Sequence, residues 1–379
     1  MEKDVNKLKV RFASLFFLAV LFAYPSFACA NAGTALLWLG VGHLLLGNTL
    51  IGVIEGKILV RYFGTKTMRS ILIMILANYF SMIIGVIGII FSQGIVDNFV
   101  SINNVFCMLV FILLFSYVLT IFIEWPFCFW IMKEKTDRDR LSFKASIVLQ
   151  TISYGIFIPI YLSVSGVSLI TKTKVDKPAF FLKSNNAWVY YVSSDCDGLY
   201  RIRADGSSKE KVKEFMLKDE LGATLYICNK GGKGKLSINW FEYNKKSELY
   251  YDYSRVLLDD INGMTAANEP CSSDIGPYSR EPIDFRAENE RDWYVYAGSW
   301  AIEGLRADNI HTGKSLRIAL ETPFLMWPVT KVTVLPNDQV ICQLGDNQII
   351  LFDLNTFQIG LITFGKSPVV ILENSLNEK

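Results

Sequence analysis

Four long apolar stretches crowd the first 170 residues of this chain, and none occurs in 171–379. A membrane-spanning helix needs roughly 20 mainly apolar residues, and four segments qualify: 35–60, 70–92, 105–132 and 145–169. The rest of the chain alternates short apolar runs with turn residues, which is the pattern of strands. The predicted architecture is a multidomain membrane protein, a four-helix transmembrane bundle (31–170), a linker (171–177) and an all-β extracytoplasmic domain (178–379).

Charge supports the division and orients it. Residues 1–170 hold 13 Lys/Arg against 8 Asp/Glu, whereas the remainder holds 25 against 28. Arg61, Lys66 and Arg69 separate the first two spans, and Lys133, Lys135, Arg138, Arg140 and Lys144 separate the last two. The segment 92–104 carries only Asp97. Basic loops stay in the cytoplasm, so both basic loops are expected inside and the tail outside. A net charge of +2 with no basic patch excludes a nucleic-acid binder. Trp38, Trp125 and Trp130 stand near span ends, either as interfacial anchors or as ordinary packing residues.

The N-terminus carries the marks of a secretory signal peptide over 1–30. Lys3, Lys7, Lys9 and Arg11 make a positive region, 13–23 is apolar, Pro25 breaks it, and Ala28-Cys29-Ala30 offers small residues for cleavage. The competing reading is an uncleaved first helix.

Polar groups in hydrocarbon are costly, so each needs a reason. Glu55, Asn78, Glu124 and Gln150 each lie six to nine residues from a basic loop, which puts all four at about 9–14 Å from that boundary. A shared depth on four helices predicts one intramembrane polar cluster. Asn48 lies two turns from Glu55 on nearly the same face, and Ser81, Ser153 and Tyr154 extend the group. The cluster reads either as a proton, cation or small-ligand site, or as interhelical polar glue with Gly47, Gly52 and Gly85 permitting close helix contact. No basic side chain stands ready to pair with both carboxylates, so at least one is expected to carry a proton. Lys57 is expected to snorkel, and His43 to be a packing histidine.

In the tail, strands are predicted at 188–192, 199–203 and 211–215, with turns at 193–198 and 205–207. Val189-Tyr190-Tyr191, then Gly198-Leu199-Tyr200-Arg201-Ile202, then Asp205-Gly206-Ser207, resembles one blade of the TolB-like β-propellers. Echoes of strand, Asp, short turn, strand recur around Ala307-Asp308 with Thr312-Gly313-Lys314, and around 349–353 with Thr356 and 359–362. Repeats of about 40 residues imply blades, about five of them in a tail of this length. A β-sandwich is the alternative, and 262–291, with Pro270, Pro277 and Pro282, is a long loop or a degenerate blade.

A second resemblance covers most of the chain. Ala30-Asn31-Ala32-Gly33-Thr34, Gly47-Asn48, Ile54-Glu55-Gly56 and Ala77-Asn78-Tyr79 are similar to an uncharacterised family of bacterial polytopic membrane proteins with a β-rich tail. It implies a bacterial inner (cytoplasmic) membrane and a periplasmic tail, and it carries no activity.

Cys196, Cys228, Cys271 and Cys342 in the tail permit three full pairings. Cys196 and Cys228 fall in corresponding turns of successive repeats, so a disulfide between them is expected, against the alternative of buried thiols. Cys107 and Cys128 read as packing residues.

Catalytic constellations are absent from the sequence. Thr312-Gly313-Lys314-Ser315 mimics the end of a phosphate-binding loop, but Asp308 stands where that motif needs Gly. Asp195-Cys196-Asp197-Gly198 lacks the rest of a calcium loop, and Asp259-Asp260 is a solvated pair. No G-x-S-x-G or H-E-x-x-H motif occurs, and two His, His43 and His311, cannot make a His-rich metal site. Neither cofactor nor metal is expected, and no enzyme activity. The functional expectation is a membrane-anchored extracytoplasmic binding or scaffolding protein whose partners are the lipid bilayer and a periplasmic protein. The alternative is a transporter or sensor working through the polar cluster.

Overall fold

The computed structural model describes residues 35–183, 187–217, 223–230, 233–244, 249–261, 283–286, 290–298 and 303–372. The signal-peptide reading of 1–30, Cys271 and most of the 262–291 loop lie outside the described residues.

Among the described residues four helices are long and apolar enough to cross a membrane, over Leu39–Phe63, Thr67–Gly88, Val105–Ile131 and Arg138–Val164. The first is built from α1 (Ala35–Gly42), a π-turn (His43–Gly47) and α2 (Asn48–Phe63). It stops at Gly64, whose φ of 61° is the left-handed conformation glycine adopts without strain, and whose N–H caps Val60 O at 3.2 Å. The others are α3 (Thr67–Phe99), α4 (Val105–Ile131) and α5 (Arg138–Val164). Pro126 and Pro159 sit inside α4 and α5; such prolines are tolerated where neighbouring helices satisfy the freed carbonyls. The fourth helix ends at Val164 rather than near 169, because Leu169 is buried in a β-domain cluster.

The chain divides into two compact units. The first, 35–90 with 115–164 among the described residues, is the helical bundle. Its apolar core at the basic-loop end joins Leu59, Met74, Ala77, Cys128, Met132, Ala145 and Leu149. Cys128 is thus a packing residue. The two basic loops meet: Lys66 pairs with Glu134 at 2.9 Å, and Arg69 donates to Trp130 O. Trp130 is exposed at that end, as an interfacial anchor would be, whereas the Trp125 indole N–H donates to Ser142 Oγ at 3.0 Å and packs.

The second unit takes in 91–114 and everything from Ser165 onward. After α6 (Ser168–Lys172) the regular structure of the described residues is β, apart from short 3-10 turns at Pro178–Phe180 and Pro336–Asp338. One four-stranded sheet pairs β2 (Ala187–Val192), β3 (Gly198–Arg203) and β4 (Glu210–Glu214) with the last strand, β18 (Lys366–Leu372), in the order β18-β2-β3-β4. A second joins β5 (Thr224–Lys230), β6 (Lys233–Asn244) and β7 (Leu249–Ile261). A third joins β9 (Trp293–Ala297), β10 (Leu305–Asn309) and β11 (Ser315–Ile318). The largest runs β1-β17-β16-β15-β14-β8, from β1 (Lys174–Val175), β8 (Ile283–Asp284), β14 (Val329–Leu335), β15 (Gln339–Leu344), β16 (Gln348–Asp353) and β17 (Gln358–Phe364). The short hairpin β12 (Leu320–Glu321) and β13 (Met326–Trp327) stands apart. No sheet closes on itself among the described residues.

Alternation along the strands sends side chains to opposite faces, and this stacks the sheets. Val189 and Tyr191 face Ile341, Ile349 and Leu351 of the largest sheet. Trp188, Tyr190 and Val192 face Leu225, Leu236 and Ile238 of the β5-β6-β7 sheet. Val340, Cys342 and Phe352, on the other side of the largest sheet, face Val295, Leu305 and Ile318. Burial pushes the Cys342 thiol up to about 12, so it stays protonated and inert. The first-turn residue Cys196 is buried with φ 54°. The side chain of Cys228 lies outside what is described, and the expected Cys196–Cys228 disulfide with it.

Candidate intramembrane site

Four of the five polar residues foreseen for the cluster, Glu55, Asn78, Glu124 and Gln150, meet in one layer of the bundle. Glu55 projects from α2 and Glu124 from α4, each about 1% exposed. The helices between them supply the donors. Asn78 and Ser81 stand one turn apart on α3, and Gln150 and Ser153 one turn apart on α5, so each pair shares a helix face. Asn78 Nδ2 donates to Glu55 Oε2 at 2.6 Å, and Ser153 Oγ to Glu55 Oε1 at 2.6 Å. Gln150 Nε2 donates to Glu124 Oε2 at 2.6 Å, and Ser81 Oγ lies 3.0 Å from Glu124 Oε1. Each carboxylate is therefore gripped by both α3 and α5, once by an amide and once by a hydroxyl. All four carboxylate oxygens have a partner, and every partner is neutral.

Ser81 and Ser153, foreseen as the periphery, are direct partners of the carboxylates. Asn48 is buried two turns along α2 and does not reach them. Its amide donates to His43 O at 3.2 Å and Leu44 O at 3.4 Å, and lies 3.1 Å from Met82 Sδ, so it serves the π-turn. Tyr154 turns to Thr120, at 2.9 Å, beside a matching Tyr117–Thr151 contact at 2.8 Å. His43 is a satisfied packing histidine, 2.7 Å from Tyr161 Oη and stacked on Phe157.

Close helix approach is real at Gly52, where a Cβ would sit 2.5 Å from Ile75 Cα. Gly85 has nothing within 4 Å, and Gly47 faces the ring of His43 in its own helix turn. The second contact glycine is Gly56, where a Cβ would meet Ile71 Cα at 2.6 Å. The signal for it was legible as Gly52-x-x-x-Gly56, the small-residue spacing that lets two helix backbones touch.

Among the described residues no group of three or more His, Cys, Asp or Glu could hold a metal ion. The motif look-alikes in the tail are turns. Thr312-Gly313-Lys314-Ser315 connects β10 to β11, with Ser315 Oγ donating to Asp308 Oδ1 at 2.5 Å. Asp197 N donates to Ser193 Oγ at 2.9 Å in the β2–β3 turn, and Asp259 pairs with Lys235 at 3.0 Å.

No protein-family model matches the chain, and no curated protein matches it either.

Proposed function

We propose that the chain is a membrane-anchored binding or scaffolding protein of the bacterial inner membrane, presenting a propeller-like β-domain to a periplasmic protein partner. One observation carries this reading: the connection between α3 and α4 is built into the core of the β-domain. Val100, Ile102 and Val105 share a cluster with Leu169, Trp327, Val329 and Leu344, and Ile102 N donates to Gln348 Oε1 at 2.7 Å. That shared core supports a topology with the connection and the tail on one side of the membrane and the two basic loops on the other. The preference of basic loops for the cytoplasm supports a tail on the outside. The propeller reading draws on antiparallel sheets packed face to face and on the last strand completing the first sheet. Such a domain offers rigid rims and no intrinsic chemistry.

Alkaline phosphatase fused after Lys177 should be active, and fusions within 61–69 inactive; the reverse would overturn the topology. Photo-crosslinkers on the β-domain surface should trap a periplasmic protein in cells.

The second reading, a transporter or sensor acting through the polar layer, is favoured by one detail. Ser81 has a single hydroxyl proton and two acceptors in reach, Glu124 Oε1 at 3.0 Å and Asn78 O at 3.1 Å. A proton bound at Glu124 would fill that gap. The Glu55→Gln/Glu124→Gln variant separates the readings, because glutamine still hydrogen-bonds but cannot bind and release a proton. Complementation of a deletion strain by this variant supports the scaffold. Failure with a normally assembled protein supports the proton site.

A further inference from the structure

Lys57 is a cation inside the first span that the polar layer leaves unused. Glu55, two residues earlier, turns inward and is closed off by Asn78 and Ser153. Lys57 is exposed, and so are Leu50, Ile54 and Arg61, which share its helix face. Leu50 is 59% exposed, so in a bilayer this stripe looks onto acyl chains. Lys66 and Arg69 have Glu134, and Arg138 has Asp139. Among the described residues neither Lys57 nor Arg61 has a carboxylate within ion-pair distance.

The two cations can act at one level. Four residues of helix rise about 6 Å, and a lysine stem directs its ammonium along the helix toward the interface by a comparable length. Lys57 Nζ can therefore reach the level of the Arg61 backbone, with Tyr62 exposed beside it. Two unpaired cations one turn apart, above a stripe of Leu and Ile, match a phosphate ester carrying two acyl chains. We propose that Lys57 and Arg61 hold the headgroup phosphate of an anionic phospholipid whose chains lie along Ile54 and Leu50. A second exposed basic pair one turn apart on a described helix, Arg140 and Lys144 on α5, has Asp137 and Asp139 within a turn of it, and local negative charge weakens it as a phosphate site. The inference goes beyond the proposed function. It needs the helices in a bilayer and not their orientation.

Phosphatidylglycerol retained by the full chain, titrated in detergent and counted by native mass spectrometry, tests it. Lys57→Gln/Arg61→Gln should bind roughly thirtyfold more weakly, while Lys57→Arg and Arg140→Gln/Lys144→Gln change binding less than about threefold. Melting in phosphatidylcholine should be unchanged for all variants, which separates lost binding from lost folding. Equal losses in the two double variants would reduce the site to general surface charge. Retention of phosphatidylcholine as tightly as phosphatidylglycerol, or displacement by millimolar inorganic phosphate, would also overturn the proposal.

Discussion

Single residues decide how closely the helices approach and what the tail tolerates. Gly56 sits against the backbone of Ile71, so Gly56→Val must push α2 from α3. The expected cost is about 1–3 kcal/mol, read as a lower melting temperature of the full chain in detergent. Gly85→Ala, where nothing lies within 4 Å, should leave melting unchanged or slightly raised. In the tail, Arg286 is 5% exposed and donates to Asp284, Asp338 and Trp293 O. Burial alone would raise the Asp284 carboxyl, but hydrogen bonds and charge from Arg286, with Arg291 nearby, hold it below the usual carboxylate range. A carboxyl depressed by folding adds stability that is complete above its unfolded value and is lost as pH falls through the folded one. Tail stability should therefore drop at acid pH, and Asp284→Asn should flatten that drop while lowering stability at neutral pH. An unaltered pH profile in the variant would assign the acid sensitivity elsewhere.

At the scale of elements, the repeated strand–turn–strand signal has one physical cause. Asp205 Oδ1 accepts from Ser207 N, Asn309 Oδ1 from His311 N and Thr312 N, and Asp353 Oδ1 from Asn355 N and Thr356 N. A side-chain acceptor at the end of a strand folds the next residues into a turn. The order of turn residues made three hairpins legible, although in the second the acceptor is Asn309 and not the Asp308 that the pattern named. The four helices were legible because length and apolarity suffice. The reciprocal grip on the carboxylates was legible in depth but not in detail. Spacing placed Asn48 beside Glu55, yet the π-turn drew its amide away, and a one-turn irregularity leaves no periodic trace. The pairing of β18 with β2 joins strands from opposite ends of the tail, and local pattern carries no record of such contacts. Truncation after Gly365 removes that strand and uncovers Val189 and Tyr191. Limited proteolysis should then cleave the tail within 187–217 while the helical bundle stays intact.

At the scale of the whole molecule, the tail is not self-contained from residue 178. Its largest apolar cluster includes Val100 and Ile102 from the α3–α4 connection, Val105 from the first turn of α4 and Leu169 from the segment after α5. A fragment spanning 178–379 lacks all four, and should bind a hydrophobic dye and aggregate where the full chain does not. A monomeric, dye-silent fragment with the melting temperature of the full chain would show the connection to be dispensable. The connection 100–104, read from sequence only as the end of a weakly charged segment 92–104, is a structural part of the domain. Nothing in its composition announced that, since two aliphatic residues, Val100 and Ile102, match no periodic template.

The last strand completing the first sheet also fixes when that sheet can exist. During synthesis β2 emerges long before β18, and about 170 intervening residues at 5–20 residues per second leave its edge bare for roughly 10–35 s. An unpaired edge is a template for wrong pairing. A holding chaperone on whichever side the tail emerges would shield that edge, and cells short of such chaperones should accumulate this chain as degraded or aggregated material even when its membrane helices have inserted normally.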